Sequence, residues 1–417
     1  MVKLDSGNGR VGHRQVSHQG APTVSTRARL CKPARNSSAA IAGTTSHVGV
    51  TGRAKNLSSK LGQAELRSDQ FTCADAFHAK VWPCAGPIPP ATAEAALRII
   101  ALEEHFILPR EEQNLPPGAH RGNDREKLLG FDVIAELLDL GPSRIAAMDA
   151  AGIDMQVLSH NQPGCQALAA SDAVPMAREV NDLLFEAVKD HPSRFAGFAA
   201  LPTADPAAAA RELERAVTRL GFKGAMINGH TGGSFLDERK YWCIFETAHA
   251  LDVPIYLHPS KPHPAVMQAY FEGYEELALA AWGFGIDTGA HFLRLVFAGV
   301  FDAFPKLTVI LGHLGEGLPF MLHRIQDQTQ LAAKRRGLQR KPIEYLTGNL
   351  AVTCSGNFSA PAFACTVSAI GIDNVMFSVD WPYESNAGAV EFLKRQALAP
   401  AELAKVAHGN AERILKL

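Results

Sequence analysis

The chain has 417 residues, of which 47% are hydrophobic and 20% charged, a composition typical of a globular protein with a large core. Its formal net charge of −1 gives no overall positive charge for binding nucleic acid. No apolar run approaches the roughly 18 residues needed to cross a bilayer, so we expect a soluble protein with no membrane partner.

The charge is unevenly distributed. Residues 1–60 contain ten basic residues and one acidic residue, and subtracting these from the totals of 41 and 42 leaves 31 basic and 41 acidic residues in the remainder. Residues 1–95 are rich in Ser, Thr, Gly, Arg and Ala without sustained helical or strand periodicity, which predicts a disordered extension. The alternatives are an organelle transit peptide, since residues 1–60 are poor in acids, or a start codon assigned too far upstream.

Seven cysteines are scattered along the chain, and no Cys-x-x-Cys motif occurs. An odd, dispersed set argues against a disulfide framework and against a thiolate zinc site. We therefore expect the protein in a reducing compartment, the cytoplasm, unless residues 1–60 direct it to an organelle.

From residue 96 onward, short apolar runs alternate with helical patterns. The eight apolar runs are 97–102, 153–159, 194–201, 224–228, 253–258, 307–313, 350–355 and 375–380. Eight such runs separated by helices predict an α/β fold, a (β/α)₈ TIM barrel over residues 96–417, as the catalytic domain. An open doubly wound sheet is the alternative, but no Gly-x-Gly-x-x-Gly follows the first run, so nothing supports a dinucleotide site.

Polar residues of metal-binding types stand where four of these runs end. They are Glu103, His105, His258, His313 and Asp380. In a (β/α)₈ barrel the carboxyl ends of the strands form the face that carries the active site. Because side chains alternate along a strand, Glu103 and His105 should point together into this face and Glu104 to the outside.

Each of these residues alone has a structural explanation, as a cap or a hydrogen-bonded core group. Their coincidence at one end of the barrel indicates a metal site, and mixed carboxylate and imidazole ligands suit zinc, manganese or iron(II) rather than calcium or magnesium. Other histidines do not share the pattern, and we interpret His263, His291 and His323 as structural or surface groups. His230, just beyond the fourth strand, lies close enough to the same face to stay open.

Four motifs resemble the decarboxylase branch of the amidohydrolase superfamily, which includes the dihydroxybenzoate decarboxylases. The motifs are Ala-Leu-Glu-Glu-His-Phe at 101–106, Leu-His-Pro at 257–259, Gly-His-Leu-Gly-Glu-Gly-Leu-Pro at 312–319 and Ser-Val-Asp-Trp-Pro at 378–382. The resemblance extends from about Ile99 to Arg413. Residues 1–95 lie outside it.

The resemblance implies that one divalent metal, zinc in the first place and manganese as the alternative, is held by four residues. They are Glu103, His105, His258 and Asp380. It also implies that His313 is a catalytic histidine partnered by Glu316.

Two further residues are implied as substrate contacts. Arg324 would bind the negative charge of the substrate, in its own site or a neighbouring subunit's, which implies a homodimer or homotetramer. Asn228 would be a lesser contact. The family helix usually carries an aromatic residue just before this arginine, and here the position is His323, so the pocket is expected to differ.

The implied activity is non-oxidative loss of carbon dioxide from a small hydroxybenzoate-type acid such as 2,3- or 2,6-dihydroxybenzoate. Asp380 would protonate the ring carbon, while His313 takes the phenolic proton or stabilises charge. The alternative on the same scaffold is hydrolysis of a lactone or amide, with Asp380 as base. No motif for a nicotinamide, flavin or pyridoxal cofactor appears.

Overall fold

The structure is a computed structural model, and it describes residues 97–114 and 132–417. The prediction of a disordered or targeting extension over residues 1–95 therefore lies outside the described residues. Within them, no helix is both long enough and apolar enough to cross a membrane.

Eight parallel strands follow one another around a barrel. They are β1 Ile100–Phe106, β2 Met155–His160, β3 in two segments (Phe195–Gly197 and Ala199–Ala200), β4 Ala225–Asn228, β5 Ile255–His258, β6 Val309–Leu311, β7 Leu350–Thr353 and β8 Val375–Met376. Each strand pairs with the next in parallel. A parallel bridge between Leu102 and Ser378 closes the ring. The predicted (β/α)₈ barrel is confirmed.

Helices cover the outside of the barrel. They are α1 Pro109–Asn114, α2 Val133–Leu138, α3 Pro142–Ala151, α4 Ala170–Asp190, α5 Pro206–Leu220, α6 Trp242–Leu251, α7 Pro264–Phe271, α8 Gly283–Ala298, α9 Val300–Ala303, α10 Leu318–Arg336, α11 Pro342–Gly348, α12 Ala360–Ile370, α13 Asn386–Lys394, α14 Pro400–Ala404 and α15 Asn410–Leu415. A π-helical turn, Lys405–Gly409, joins the last two. Helix α5 is capped by Asp205, whose side chain accepts a hydrogen bond from Ala208 N at 3.0 Å.

The interior of the barrel is filled by apolar side chains contributed by all eight strands. They are Ile100, Leu102, Met155, Val157, Ala196, Phe198, Met226, Tyr256, Ile310, Ala351 and Met376. Because strand side chains alternate, the residue two positions beyond an interior residue faces inward again. Asn228, His258 and Thr353 are such residues, so a polar layer lies above the apolar one at the carboxyl ends of the strands, here called the barrel mouth.

Strand β1 needs an irregularity to follow this rule. Leu102 faces the interior, so strict alternation would send Glu103 outward. The register of β1 against β2 shifts between Ala101 and Glu104, and Glu103 has a φ of +64°. This bulge turns Glu103 inward, so that Glu103 and His105 both face the barrel mouth, as predicted, while Glu104 faces the surrounding layer.

Candidate active site

Four side chains of metal-binding types meet at the barrel mouth, and we call them the ligand set. They are Glu103, His105, His258 and Asp380, and one ligand atom from each lies within 4.8 Å of the others. His105 Nε2 is 3.1 Å from Asp380 Oδ1, and His258 Nε2 is 3.2 Å from Glu103 Oε1. The Asp380 side chain is 16% exposed, more than its three buried neighbours. The structure thus brings together all four residues that the sequence proposed as ligands.

Three atoms of the ligand set are buried without a hydrogen-bond partner in the described part of the chain: Glu103 Oε1, His105 Nε2 and His258 Nδ1. The first two are atoms that approach other members of the ligand set. Burying such groups unpaired is unfavourable by about 1–3 kcal/mol each, and a cation between them would remove that penalty. Mixed carboxylate and imidazole donors fit a divalent transition metal, so the residues present fit the metal that the sequence implied.

The second oxygen of Glu103 is held by hydroxyl groups. Glu103 Oε2 accepts hydrogen bonds from the hydroxyls of Tyr256 and Ser355, and from Thr353 Oγ1 at 3.2 Å. Tyr256 and Thr353 also bond to each other at 2.7 Å. Since Oε2 is occupied in this way, Oε1 is the atom of Glu103 presented to the mouth.

Opposing effects act on the Glu103 carboxyl group. Burial raises its pKa, but His313 and His258 more than offset that effect and hold the pKa below its ordinary value. Glu103 is therefore an anion, as a metal ligand must be.

His313 stands beside the ligand set and is oriented by Glu316, whose Oε1 is 2.8 Å from His313 Nδ1. His313 Nε2 is 3.7 Å from both Glu103 Oε1 and Asp380 Oδ2. Burial alone would lower the pKa of His313, but the charges of Glu316 and Glu103 hold it well above the ordinary value. The predicted pairing of His313 with Glu316 is therefore present, with the second nitrogen directed at the ligand set.

Asp380 combines an unusual backbone with a strongly stabilised charge. Its φ is +78°, in the left-handed region that non-glycine residues rarely occupy. Burial would raise the pKa of its carboxyl group, but the neighbouring imidazoles of His105 and His313 hold the pKa well below its ordinary value. A backbone held in such a conformation at a functional group is typical of an active site.

A cavity of about 860 Å³ opens beside the ligand set, on the side of β4 and β5. Asn228 lines it and is paired in register with His258. Asn228 is 2% exposed, and its Oδ1 is buried without a hydrogen-bond partner among the described residues. His230 also lines the cavity, with Nδ1 accepting a hydrogen bond from Gly233 N at 3.1 Å. Asn228 therefore offers an unused acceptor beside the ligand set, where the sequence predicted a substrate contact.

Arg324 lies away from this cavity. It is exposed on α10, as is His323, and neither residue is part of the cavity lining. Phe320, one turn earlier on the same face of α10, is 81% exposed. A single chain thus does not bring Arg324 to the ligand set.

The hydroxyl groups around Glu103 and the burial of Glu104 were not predicted from the sequence. The position of Tyr256 could have been predicted, because it precedes His258 by two positions on the same strand and must therefore share its face. Glu104 faces away from the mouth as expected, but it is fully buried rather than solvent-exposed. Burial raises the pKa of Glu104 to about 8, opposed by hydrogen bonds from the backbone of Val379 and Trp381.

The amidohydrolase family model matches residues 77–417, and the chain belongs to this family. The resemblance to its decarboxylase branch is confirmed by individual relatives.

Three relatives show how far this similarity extends. The gamma-resorcylate decarboxylase of Polaromonas sp. is 40% identical over 327 residues, which cover 76% of this chain and 98% of the relative. A crystal structure of 2,6-dihydroxybenzoate decarboxylase complexed with 2,6-dihydroxybenzoate has a TM-score of 0.71 and 37% identity, covering 77% of this chain and 99% of that one. The structure of dihydroxybenzoic acid decarboxylase from Polaromonas sp., with bound manganese and the inhibitor 2-nitroresorcinol, has a TM-score of 0.70 and 38% identity, covering 77% and 97%.

Proposed function

We propose that this chain is a metal-dependent, non-oxidative decarboxylase of a hydroxybenzoate-type acid. The observation that carries the proposal is the convergence of four ligand-type side chains within 4.8 Å, next to the His313–Glu316 pair. The named activities of the relatives support the same chemistry.

The ligand set would hold one divalent ion, through Glu103 Oε1, the two imidazoles and Asp380. When bound, the ion supplies a Lewis acid for the carboxylate and ortho-hydroxyl oxygens of the substrate. From the sequence, zinc was the expected ion and manganese the alternative. The manganese in the Polaromonas structure supports manganese as the ion to test first, with zinc as the comparison.

Asp380 is the proposed proton donor to the ring carbon that bears the carboxylate. It is the most exposed member of the ligand set. His313 Nε2, 3.7 Å from Asp380 Oδ2, is close enough to supply the proton after a small movement. Once the carbon is protonated, the bond to the carboxylate breaks, carbon dioxide leaves, and the electron pair restores the aromatic ring. Glu316 keeps His313 oriented throughout.

The substrate would enter the cavity beside β4 and β5. The unpaired Oδ1 of Asn228 can accept a hydrogen bond from a ring hydroxyl. An aromatic acid with a carboxylate and one or two ortho-hydroxyls, such as 2,6- or 2,3-dihydroxybenzoate, supplies both the metal-binding oxygens and this donor.

Arg324 would bind the substrate carboxylate of a neighbouring subunit, in a homodimer or homotetramer. Its exposure on α10, beside the exposed Phe320, supports a role across an interface. Mixing Arg324→Met with Asp380→Asn chains under exchange conditions tests this, because only a shared site would regain activity. An equivalent mixture made with Arg335→Met, an exposed arginine of the same helix, serves as the control. Failure of the mixed assembly to exceed the activity of the separate chains would refute the proposal.

The cytoplasm is the proposed location. All four cysteines of the described residues, Cys165, Cys243, Cys354 and Cys365, carry free thiols. Free thiols fit a reducing compartment.

The deciding experiment measures carbon dioxide release from 2,6-dihydroxybenzoate, 2,3-dihydroxybenzoate and salicylate by metal-loaded protein. We expect release that stops on chelation and returns with Mn²⁺ or Zn²⁺. Asp380→Asn, at saturating metal, should lose at least about 100-fold in rate, in line with the loss of a general acid. Asp373→Asn is the matched control, because Asp373 pairs with Lys405 on the surface.

Two outcomes would contradict the proposal. Full activity of Asp380→Asn with metal bound would exclude Asp380 as the proton donor. Metal binding without carbon dioxide from any acid, together with hydrolysis of a lactone or amide, would assign the site to the hydrolytic alternative.

A further inference from the structure

Glu104 is a buried carboxylate that the proposed chemistry does not use. It stands between Glu103 and His105 in β1, is fully buried, and faces away from the barrel mouth. Its neighbours decide what it does there, because a buried polar group needs hydrogen-bond partners.

The two oxygens of Glu104 bind the main chain on both sides of Asp380. Oε1 accepts a hydrogen bond from Val379 N at 3.0 Å, and Oε2 accepts one from Trp381 N at 3.1 Å. Asp380 lies between these two amides with its φ of +78°. The carboxylate therefore fixes the peptide units whose orientation determines where the Asp380 side chain points.

A further hydrogen bond joins β1 to the segment that contains Asp380. His105 N donates to Trp381 O at 2.8 Å. The ligand set therefore has three of its four members on two segments, β1 and the segment that follows β8. They are Glu103, His105 and Asp380. Hydrogen bonds of Glu104 and of the His105 backbone join these two segments.

A buried cation and a buried amide support the Glu104 carboxylate. Gln156 Nε2 is 3.5 Å from Glu104 Oε2, and Arg144 Nη1 donates to Gln156 Oε1 at 3.3 Å. Arg144 Nη2 also donates to His105 O at 2.7 Å, and the guanidinium is fully buried. Arg144 reaches Glu104 through Gln156, and it anchors the backbone of a second member of the ligand set.

We propose that Glu104 is a positioning residue that holds the Asp380 carboxylate in the orientation required for metal binding and proton transfer. It acts through the backbone amides of Val379 and Trp381 and touches neither the substrate nor the metal. This inference rests on the proposed role of Asp380. The alternative is a purely structural group, whose loss would lower the stability of the barrel and leave the ligand set as it is.

Glu104→Gln and Glu104→Asp separate these alternatives. Gln keeps the shape but places an amide donor against one of the two backbone N–H groups. Asp keeps the carboxyl group but is one methylene shorter, so it cannot reach both amides. We expect both variants to bind Mn²⁺ about 10- to 100-fold more weakly, the usual effect of losing a group that orients a ligand. At saturating Mn²⁺ and substrate, kcat should fall at least about tenfold while KM changes little.

The matched control is Glu212→Gln. Glu212 accepts a hydrogen bond from Asn181 Nδ2 at 2.7 Å and pairs with Arg215 on α5, away from the barrel mouth. This variant should lower the melting temperature while leaving Mn²⁺ affinity and kcat within about twofold of the parent chain, as expected for a distant structural contact.

Three results would overturn the inference. The first is a folded Glu104→Gln variant with the Mn²⁺ affinity and kcat of the parent chain. The second is a Glu212→Gln variant that loses as much Mn²⁺ affinity and kcat as the Glu104 variants. Wild-type Mn²⁺ affinity in Glu104→Asp would show that the two hydrogen bonds do not hold the ligand set. If Glu104→Gln does not fold, Glu104→Asp decides by the same readouts.

Metal affinity is measured by chelator competition without substrate, so it tests Glu104 independently of the reaction. If the parent chain binds Mn²⁺ but releases no carbon dioxide, the proposed activity fails and the affinity ratio still decides the role of Glu104. A parent chain that binds neither Mn²⁺ nor Zn²⁺ would overturn both.

Discussion

The backbone of Gly312 lies directly against the carboxylate of Glu103. A Cβ atom at position 312 would stand 2.7 Å from Glu103 Oε1 and 2.8 Å from Oε2. Gly312 is the residue just beyond β6, in the loop that carries His313. The absence of a side chain there leaves room for the first member of the ligand set.

Gly312→Ala should therefore displace the Glu103 carboxylate and weaken Mn²⁺ binding about tenfold or more, the scale of a disturbed ligand shell. Chelator competition measures the affinity. Gly388→Ala in α13 is the control, since its Cβ would meet Ser385 at an ordinary 3.6 Å. That variant should keep the affinity of the parent chain, and an unchanged affinity in Gly312→Ala would contradict the prediction.

Tyr256→Phe removes one of the hydroxyl donors to Glu103 Oε2. Because the acceptor is a buried carboxylate, we expect a loss of about 1.5–3 kcal/mol in the free energy of unfolding, measured by urea denaturation, together with weaker Mn²⁺ binding. Tyr345→Phe, which removes a hydroxyl bonded to Asp302 outside the barrel mouth, should lose stability without a change in metal affinity. Equal Mn²⁺ affinities in the two variants would argue against the role assigned to Tyr256.

Glu316→Gln tests the orientation of His313. The amide can present an oxygen to His313 Nδ1 but removes the charge, so kcat should fall about 10- to 100-fold with little change in KM. Steady-state kinetics on the acid with the fastest carbon dioxide release provide the measurement. Glu391 on α13 is exposed and pairs with Arg395 just beyond the helix, so the control variant Glu391→Gln should leave kcat and KM unchanged. A rise in KM at constant kcat would instead make Glu316 a binding residue.

His291 should make the fold sensitive to acid. Burial, followed by the charge of Arg294, lowers the pKa of His291 to about 3. A histidine with a depressed folded pKa takes up its proton first in the unfolded chain, so stability is fully present above about pH 6.5 and decreases as the pH falls. The contribution lost between pH 7 and pH 5 is about 2 kcal/mol.

The free energy of unfolding of His291→Gln, compared with the parent chain, tests this. Gln can still accept the hydrogen bond from Leu236 N that His291 Nε2 receives at 2.9 Å. The variant should be less stable at pH 7, and the difference should shrink by about 2 kcal/mol at pH 5. His323 is exposed, and the free energy of unfolding of the control variant His323→Gln should change with pH as that of the parent chain does. The same pH dependence in His291→Gln would refute the prediction.

The sequence predicted the barrel because its strands are short apolar runs ending in polar residues. The ends of these runs were less certain, and the last illustrates why. The run 375–380 forms regular strand only at Val375–Met376, because the chain then bends toward the left-handed φ of Asp380 and pairs with β1 through an isolated bridge at Ser378. Hydrophobicity does not encode such a bend.

The residues of metal-binding types were recoverable because each follows or ends one of the apolar runs that predict strands, and the family resemblance separated the four members of the ligand set from His313. The residues that hold the ligand set were not recoverable, because Glu103 and Ser355 are separated by 252 positions and meet only when the barrel closes. Glu104 illustrates a second limit. Strand alternation predicted that it faces away from the mouth, but it is buried there, and Arg144 of another element reaches it through Gln156.

Several residues of the site share one backbone property, a left-handed φ. It is +64° at Glu103, +51° at His313, +55° at Glu316 and +78° at Asp380. Glycine adopts this conformation more easily than any of these side chains, so the backbone at each position would be relieved of strain by losing its functional group. Laboratory evolution that rewards heat resistance alone does not protect such groups, and a thermostable descendant of this enzyme must be selected for turnover at every round.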